Sequence, residues 1–260
     1  MAAVVSHARP EDRVRAVGGA VRDAFLGRRG ADLDLVAPPE SAEKLARDLA
    51  ARAGSRVVPI GSRPKRILKV PFRSHEIDVW EETGDPASDL LRRDFTVNAL
   101  SFSLPDGTFA GAPGALADLR AKRLAPPRPG VFLEDPLRVL RAARFLAELP
   151  GFHVARAAIP ELRRAVKMLR MVPAERRLVE WNKLLGAPAA GRMRGLRFLE
   201  RTGALKILLL STAPLERRGR RVRLGMSLVG RLGTPDARVA RSLLLLPLGS
   251  ERALDFLRRW

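Results

Sequence analysis

Short stretches of alternating apolar and polar residues fill the first hundred or so positions, and a helical period replaces them further on. Val14–Val17 reads as a strand running into Gly18-Gly19, and Val21–Leu26 as a helix behind that turn. Asp32–Val36 alternates acid and aliphatic, as a half-buried strand does, and Pro38-Pro39 ends it. Ser41–Arg52 carries Leu45 and Leu49 one turn apart, with Ser41 as the expected N-cap. Arg56–Ile60, Arg66–Phe72 and Glu76–Trp80 are strand-like, and Ser101–Leu104 and Thr108–Phe109 flank Pro105-Asp106-Gly107 as a hairpin. After Pro126-Pro127 the spacing predicts helices over Pro136–Leu149, Pro160–Arg170, Ala174–Leu185 and Met193–Thr202. The pattern predicts an α+β head of small mixed sheet and helices over residues 1–125, followed by an all-α remainder split into 126–190 and 191–260.

Composition narrows this picture. The chain has 260 residues, 46% hydrophobic and 29% charged, enough for a substantial core and unlike a disordered segment. No uncharged apolar run reaches the roughly 18 residues of a membrane span, so no membrane association is expected. The N-terminal residues lack the layout of a signal peptide, and cysteine is absent; both suit a cytoplasmic location. The balance of 48 Lys plus Arg against 28 Asp plus Glu, a net charge of +20, points to a polyanionic partner. An arginine-rich coding bias with a solvated surface is the bland alternative. Residues 192–260 hold 16 of the cations and 5 of the acids.

Several short constellations carry candidate chemistry. Gly18-Gly19-Ala20-Val21-Arg22-Asp23 would let backbone approach a phosphate, with Arg22 reaching the same group, although taken alone a Gly-Gly pair is more often a plain tight strand-to-helix turn. Asp32-Leu33-Asp34 places two carboxylates on one face of a strand, about 6.5–7 Å apart along it. Such a pair can share two divalent ions about 4 Å apart, and Mg²⁺ favours a few carboxylates plus substrate phosphates. Asp78, in a second alternation at Glu76-Ile77-Asp78, would complete a three-carboxylate cluster if its strand lies beside the first. In Arg92-Arg93-Asp94-Phe95-Thr96-Val97-Asn98, Arg93 could bind triphosphate or ribose, Asp94 orient an arginine, and Asn98 bond a sugar hydroxyl or cap a turn. Asp135 and Pro136 look like the N-cap and first residue of a helix bearing Arg138, Arg141 and Arg144. Asp135 and Arg138 could together present acceptor and donor edges to a base.

Taken together, these residues resemble the class II tRNA nucleotidyltransferase and bacterial poly(A) polymerase family. The resemblance is carried by residues 17–28, by Asp32-Leu33-Asp34, by residues 92–99, by Gly114 with Asp118-Leu119, by residues 134–145, and by Glu175-Arg176 with Glu180 and Lys183-Leu184-Leu185. It implies a nucleotidyltransferase head (1–125), a helical neck with a nucleotide-template helix (126–190) and a short basic body that holds RNA (191–260). It implies that Asp32 and Asp34 bind Mg²⁺, two ions being expected, and the residue pattern adds Asp78 as a third catalytic candidate. Gly18, Gly19, Arg22, Arg93, Asp94 and Asn98 would surround the nucleotide, Asp135 and Arg138 would read the base of CTP or ATP, and Arg141 and Arg144 would support them. The implied reaction is attack by the 3′ hydroxyl of tRNA, or of another RNA 3′ end, on the α-phosphate, releasing pyrophosphate. A poly(A) polymerase and a catalytically weak RNA-binding relative are the alternatives. Two departures stand out. The family has a longer flexible segment after the strand of Asp78, which helps switch from CTP to ATP and is shortened in members that add only C. Here Trp80-Glu81-Glu82-Thr83-Gly84-Asp85 passes quickly to Arg92, which suggests CC addition. The stretch after Leu185 is also shorter than most family bodies.

Overall fold

The computed structural model describes residues 12–209 except 29–31, 63–65, 73–74 and 105, together with 225, 226 and 229. The expectations for the N-terminal ten residues and for most of the basic segment beyond 209 lie outside the described residues. Two compact units divide the chain: Met1–Ala121 with Ala125–Arg128, and Lys122–Leu124 with Pro129–Trp260.

The first unit is built on a seven-stranded sheet. In chain order its elements are β1 (Arg15–Val17), α1 (Gly19–Phe25), β2 (Asp32–Ala37), α2 (Pro39–Ala53), β3 (Val58–Ile60), β4 (Ile67–Phe72), β5 (His75–Glu81), α3 (Pro86–Leu91), β6 (Leu100–Ser103), β7 (Phe109–Gly111) and α4 (Ala115–Arg120). The order across the sheet is β3-β4-β5-β2-β1-β6-β7, with β2 and β5 parallel and the other neighbours antiparallel. The register sorts the side chains. Leu33 lies opposite Ile77, Leu35 opposite Val79, and Leu68 and Val70 opposite Val79 and Ile77, so these aliphatics share one face. Leu35, Leu68, Val70, Ile77 and Val79 are all buried there, and α2 packs on β2, β4 and β5 through Ala42, Leu45, Ala46, Leu49 and Ala50. The opposite face collects Asp32, Asp34, Glu76, Asp78, Trp80, Lys69, Arg15, Ser101 and Ser103. One face is core; the other is left for chemistry.

The helix expected over Ser41–Arg52 begins two residues earlier. Pro38 stands at its N-cap and Pro39 at its first turn, where a fixed φ and a missing N–H are tolerated, so Ser41 lies inside the helix and caps nothing. The predicted hairpin forms, with β6 and β7 antiparallel.

The second unit is helical, with α5 (Val131–Glu134), α6 (Arg138–Glu148), α7 (Ile159–Met168), α8 (Ala174–Gly186), α9 (Ala189–Thr202) and α10 (Ala204–Leu209). A two-residue parallel bridge joins β8 (Arg123–Leu124) to β9 (His153–Val154). The expected boundary between residues 190 and 191 falls inside α9, because that helix is pressed onto α6. A Cβ built on Gly191 would lie 2.1 Å from the Ala147 carbonyl oxygen, and one on Gly195 would lie 2.5 Å from that of Ala143. Only glycine at these two positions, four apart on one helix face, permits the approach. Gly191→Ala should therefore cost about 1–3 kcal/mol by overpacking, seen as a lower denaturant midpoint for the helical signal. An unchanged midpoint would contradict the close helix contact.

Candidate active site

The site residues fall into two groups, one in each unit. In the first unit, β2 projects Asp32 and Asp34 from its polar face. Asp32 is exposed and Asp34 half-buried. Val17 of β1 lies opposite Asp34, and the chain turns at once through Gly18, whose φ of +69° is a left-handed conformation suited to glycine. A Cβ on Gly18 would lie at ordinary contact distance, 3.6 Å from Arg93 Nη1 and 3.9 Å from Asp34 Oδ2, so it is the left-handed backbone and not crowding that calls for glycine beside these two groups. The Gly18 N–H donates to the Leu100 carbonyl at 2.9 Å, so this glycine contributes shape to the site while its N–H continues the pairing of β1 with β6.

Burial pushes the Asp34 carboxyl above its ordinary range. The indole N–H of Trp80, donated to Oδ1 at 3.3 Å, and the charge of Arg93 pull it back, while the negative charges of Asp78 and Asp32 raise it. Crowded acids of this kind fit a hard cation: the ion would relieve both the repulsion and the burial of charge.

The strand of Asp78 does lie beside that of Asp34, the condition set for a three-carboxylate cluster. Asp78 lies beside Asp34 in register, but both its oxygens are taken by Lys69 Nζ at 2.8 and 2.9 Å, and Glu76 binds the same ammonium. Among the described residues no group of three or more acids, histidines or cysteines has metal-holding geometry. The reason is cross-strand pairing: β4 sets Lys69 directly opposite Asp78.

Behind the glycine turn lies a chain of buried polar bonds. Arg22 grips Asp23 as a fork, through Nε at 2.9 Å and Nη2 at 3.0 Å, and its Nη1 donates to Asn98 Oδ1 at 2.6 Å. The Asn98 amide donates in turn to Asp94 Oδ1 at 2.9 Å, and the same oxygen accepts the Phe95 N–H at 2.8 Å. Asn98 is only 5% exposed with both ends of its amide engaged, and it fixes Arg22 from the interior. Asp94 acts on Arg22 through Asn98. The acid that forks onto Arg93 is Asp89, at 3.2 Å to Nε and 2.7 Å to Nη2. The i, i+4 spacing of Asp89 and Arg93 is the sequence signal for this pair.

In the second unit, Asp135 is not the N-cap of the long helix. It is extended, ends the short helix α5, and is separated from α6 by a turn at Pro136-Leu137. Its Oδ1 still accepts the Leu137 N–H at 3.2 Å, and Oδ2 is held by Arg176 at 2.8 Å. Arg138 Nη1 donates to the Val131 carbonyl at 2.7 Å, which braces it against the same short helix. That helix is capped from another direction by Glu161, which accepts the N–H groups of Gly130 at 3.1 Å and Phe132 at 2.8 Å. Arg141 and Arg144 converge on Glu180 of α8, at 3.3 Å and 3.1 Å. Arg144 is buried and stacks its guanidinium 4.5 Å from the Phe145 ring centre. These two arginines tie α6 to α8 and so hold the helix that starts at Arg138.

Residues 14–125 match the Poly A polymerase head domain family. The chain is 38% identical over 205 residues to a CC-adding tRNA nucleotidyltransferase of Thermus thermophilus, covering 76% of this chain and 45% of that one. It is also 38% identical over 205 residues to an A-adding tRNA nucleotidyltransferase of Aquifex aeolicus, covering 72% of this chain and 24% of the relative. The chain thus spans less than half the length of these curated relatives. A tRNA nucleotidyltransferase solved with a primer tRNA and an incoming ATP analog superposes with a TM-score of 0.77 at 27% identity, over 95% of this chain and 76% of that one. No helix among the described residues is long and apolar enough to cross a membrane.

The raised Asp34 carboxyl has a thermodynamic consequence. Its protonated form is favoured by folding, so the stability it lends is fully present below the ordinary carboxyl value of 3.8 and is lost as pH rises through the higher folded value. Asp34→Asn should therefore make the metal-free protein more stable than wild type at neutral pH, with the gap closing below pH 3.8. Thermal unfolding at the two pH values checks this. A variant less stable at neutral pH would contradict it.

Proposed function

This chain belongs to the class II tRNA nucleotidyltransferase and bacterial poly(A) polymerase family, and on that premise we propose that it adds C, and in particular CC, to the 3′ end of tRNA from CTP. The observation that carries the reading is the pair Asp32 and Asp34 on the polar face of β2, with Gly18 and Arg93 packed against Asp34. Asp32 and Asp34 would hold Mg²⁺, which supplies activation of the attacking hydroxyl and neutralises charge on the leaving pyrophosphate. Arg93, paired with Asp89, would orient the triphosphate, and the buried Arg22, held by Asp23 and Asn98, would support the glycine turn behind it. Asp135 and Arg138, braced by Arg176 and Val131, would pair with the edge of the incoming base. Arg141, Arg144 and Glu180 keep that helix in place. Reaction is in-line attack of the RNA 3′ oxygen on the α-phosphate with loss of pyrophosphate, so positioning provides most of the rate. The cytoplasm, where such substrates occur, is the proposed location.

CC addition, rather than CCA addition, is favoured by the connection between β5 and α3. It is only Glu82–Asp85, and it is fastened at both ends. Glu82 N–H donates to the Ala37 carbonyl at 2.8 Å and its carboxylate pairs with Arg13 and Arg15, while Asp85 accepts the Ser88 N–H at 2.9 Å as the cap of α3. Little slack remains for a movement that re-sizes the nucleotide site.

The test is to incubate the chain with Mg²⁺, labelled CTP or ATP, and tRNAs ending before, within or after the terminal CC. Label should enter from CTP and stop after two additions. Incorporation of a terminal A, or of long A tracts, would replace CC addition, and no incorporation with retained RNA binding would refute the enzyme. Asp32→Ala should abolish incorporation while leaving RNA retention on filters unchanged; wild-type turnover would refute the metal assignment. Arg138→Ala should reduce discrimination between CTP and ATP by about 1–3 kcal/mol, the worth of a bidentate contact to a base edge. Unchanged preference, measured as the ratio of kcat/KM values, would remove the template role.

A further inference from the structure

We propose that Trp80 is the stacking platform for the terminal base of the RNA primer, an inference that rests on the nucleotidyl-transfer reading above. Trp80 stands on the polar face of β5, opposite Val36 of β2 and one step along from the pair formed by Asp34 and Asp78. Its indole N–H donates to Asp34 Oδ1 at 3.3 Å, which fixes the ring beside the carboxylate pair. Trp80 is 37% exposed, a large aromatic ring left partly open beside the buried Val36 on the face that carries the carboxylates. It borders a cavity of about 300 Å³ lined also by Arg15, Val36, Thr83, Asp89 and Arg93. That volume lies at the lower end of the range for small-ligand pockets.

The occupant follows from the chemistry. A hydroxyl that attacks at Asp32 and Asp34 arrives attached to a ribose and a base, so that base must rest within about one nucleotide of Asp34. Trp80 borders the cavity on one side and bonds Asp34 through its indole N–H on the other, so its aromatic face stands one side chain away from that carboxylate. The incoming base is assigned to Asp135 and Arg138, which read hydrogen-bonding edges. The primer end poses a different demand, because its last base changes as each nucleotide is added. Stacking suits it: every base has a π-face, so an aromatic platform tolerates a changing sequence. The clamped Glu82–Asp85 connection holds the chain against Ala37, Arg13 and Arg15 and leaves the indole exposed.

Trp80 acts here as a positioning residue, and two substitutions separate its ring from its N–H. Trp80→Phe keeps an aromatic face and removes the bond to Asp34; Trp80→Ala removes both. In the full chain with Mg²⁺ and CTP, Trp80→Ala should raise KM for primer tRNA roughly five- to a hundredfold, with a smaller effect on kcat at saturating primer, and Trp80→Phe should restore most of the KM. A second readout needs no turnover. Intrinsic fluorescence of the wild type, corrected with that of Trp80→Phe, should be quenched by a short RNA oligonucleotide ending in CC and left unchanged by CTP alone. Quenching by CTP but not by RNA would overturn the proposal in favour of the incoming base. So would an active enzyme whose KM is unchanged in Trp80→Ala, or equal rises in both variants, which would assign the effect to the Asp34 bond. Failure of the unsubstituted chain to label any RNA refutes the nucleotidyl-transfer reading itself, an outcome separate from these.

Discussion

The geometry of the first unit depends on one constraint: two like charges, Asp32 and Asp34, project from the same face of a strand whose alternate residues are buried core. The alternation that sends Leu33 and Leu35 into the layer beneath α2 leaves the acids no other direction. Asp34 is half-buried as a result, and its carboxyl is strained toward the neutral form by burial and by neighbouring acids. The protein counters this only in part, with one indole N–H and one arginine. The incomplete compensation gives a cation a reason to bind there, because it offsets a penalty already present in the fold.

The surrounding architecture keeps that arrangement fixed. Gly18 supplies the left-handed turn beside Arg93 and Asp34, and Asp89 pairs with Arg93. Arg22 is pinned by Asp23 and Asn98, and Asn98 by Asp94. In the second unit Glu180 and Glu161 do similar work for the helices that present Asp135 and Arg138. The partners differ in burial: Asn98, Asp94, Glu161 and Glu180 are buried, while Asp89 and Arg176 stand at the surface.

Much of this was legible in the sequence. The Asp-Leu-Asp alternation located β2 and its two faces, the glycine pair located the turn, and the change of period near Pro126-Pro127 marked the passage from sheet to helices. What escaped depended on partners far apart in the chain. Nothing local said that Lys69 would stand across from Asp78 and occupy both its oxygens, since that follows from the pairing of β4 with β5. Asn98 looked like a ligand contact because its engagement by Arg22 spans 76 positions of sequence. Asp135 looked like a helix cap because the local pattern of acid then proline fits one, yet the short helix α5 and Arg176 hold it in an extended conformation. Trp80 carried no motif at all, and its place beside Asp34 emerges only from the parallel register of β2 and β5.

The claim at the centre of this account is that Asp32 and Asp34, and not Asp78, are the cation ligands. Electron paramagnetic resonance of Mn²⁺ titrated into the full chain with CTP measures this directly. The bound signal should disappear in Asp32→Ala and Asp34→Asn and persist in Asp78→Asn. Undiminished Mn²⁺ binding in Asp34→Asn, or its loss in Asp78→Asn alone, would contradict the account.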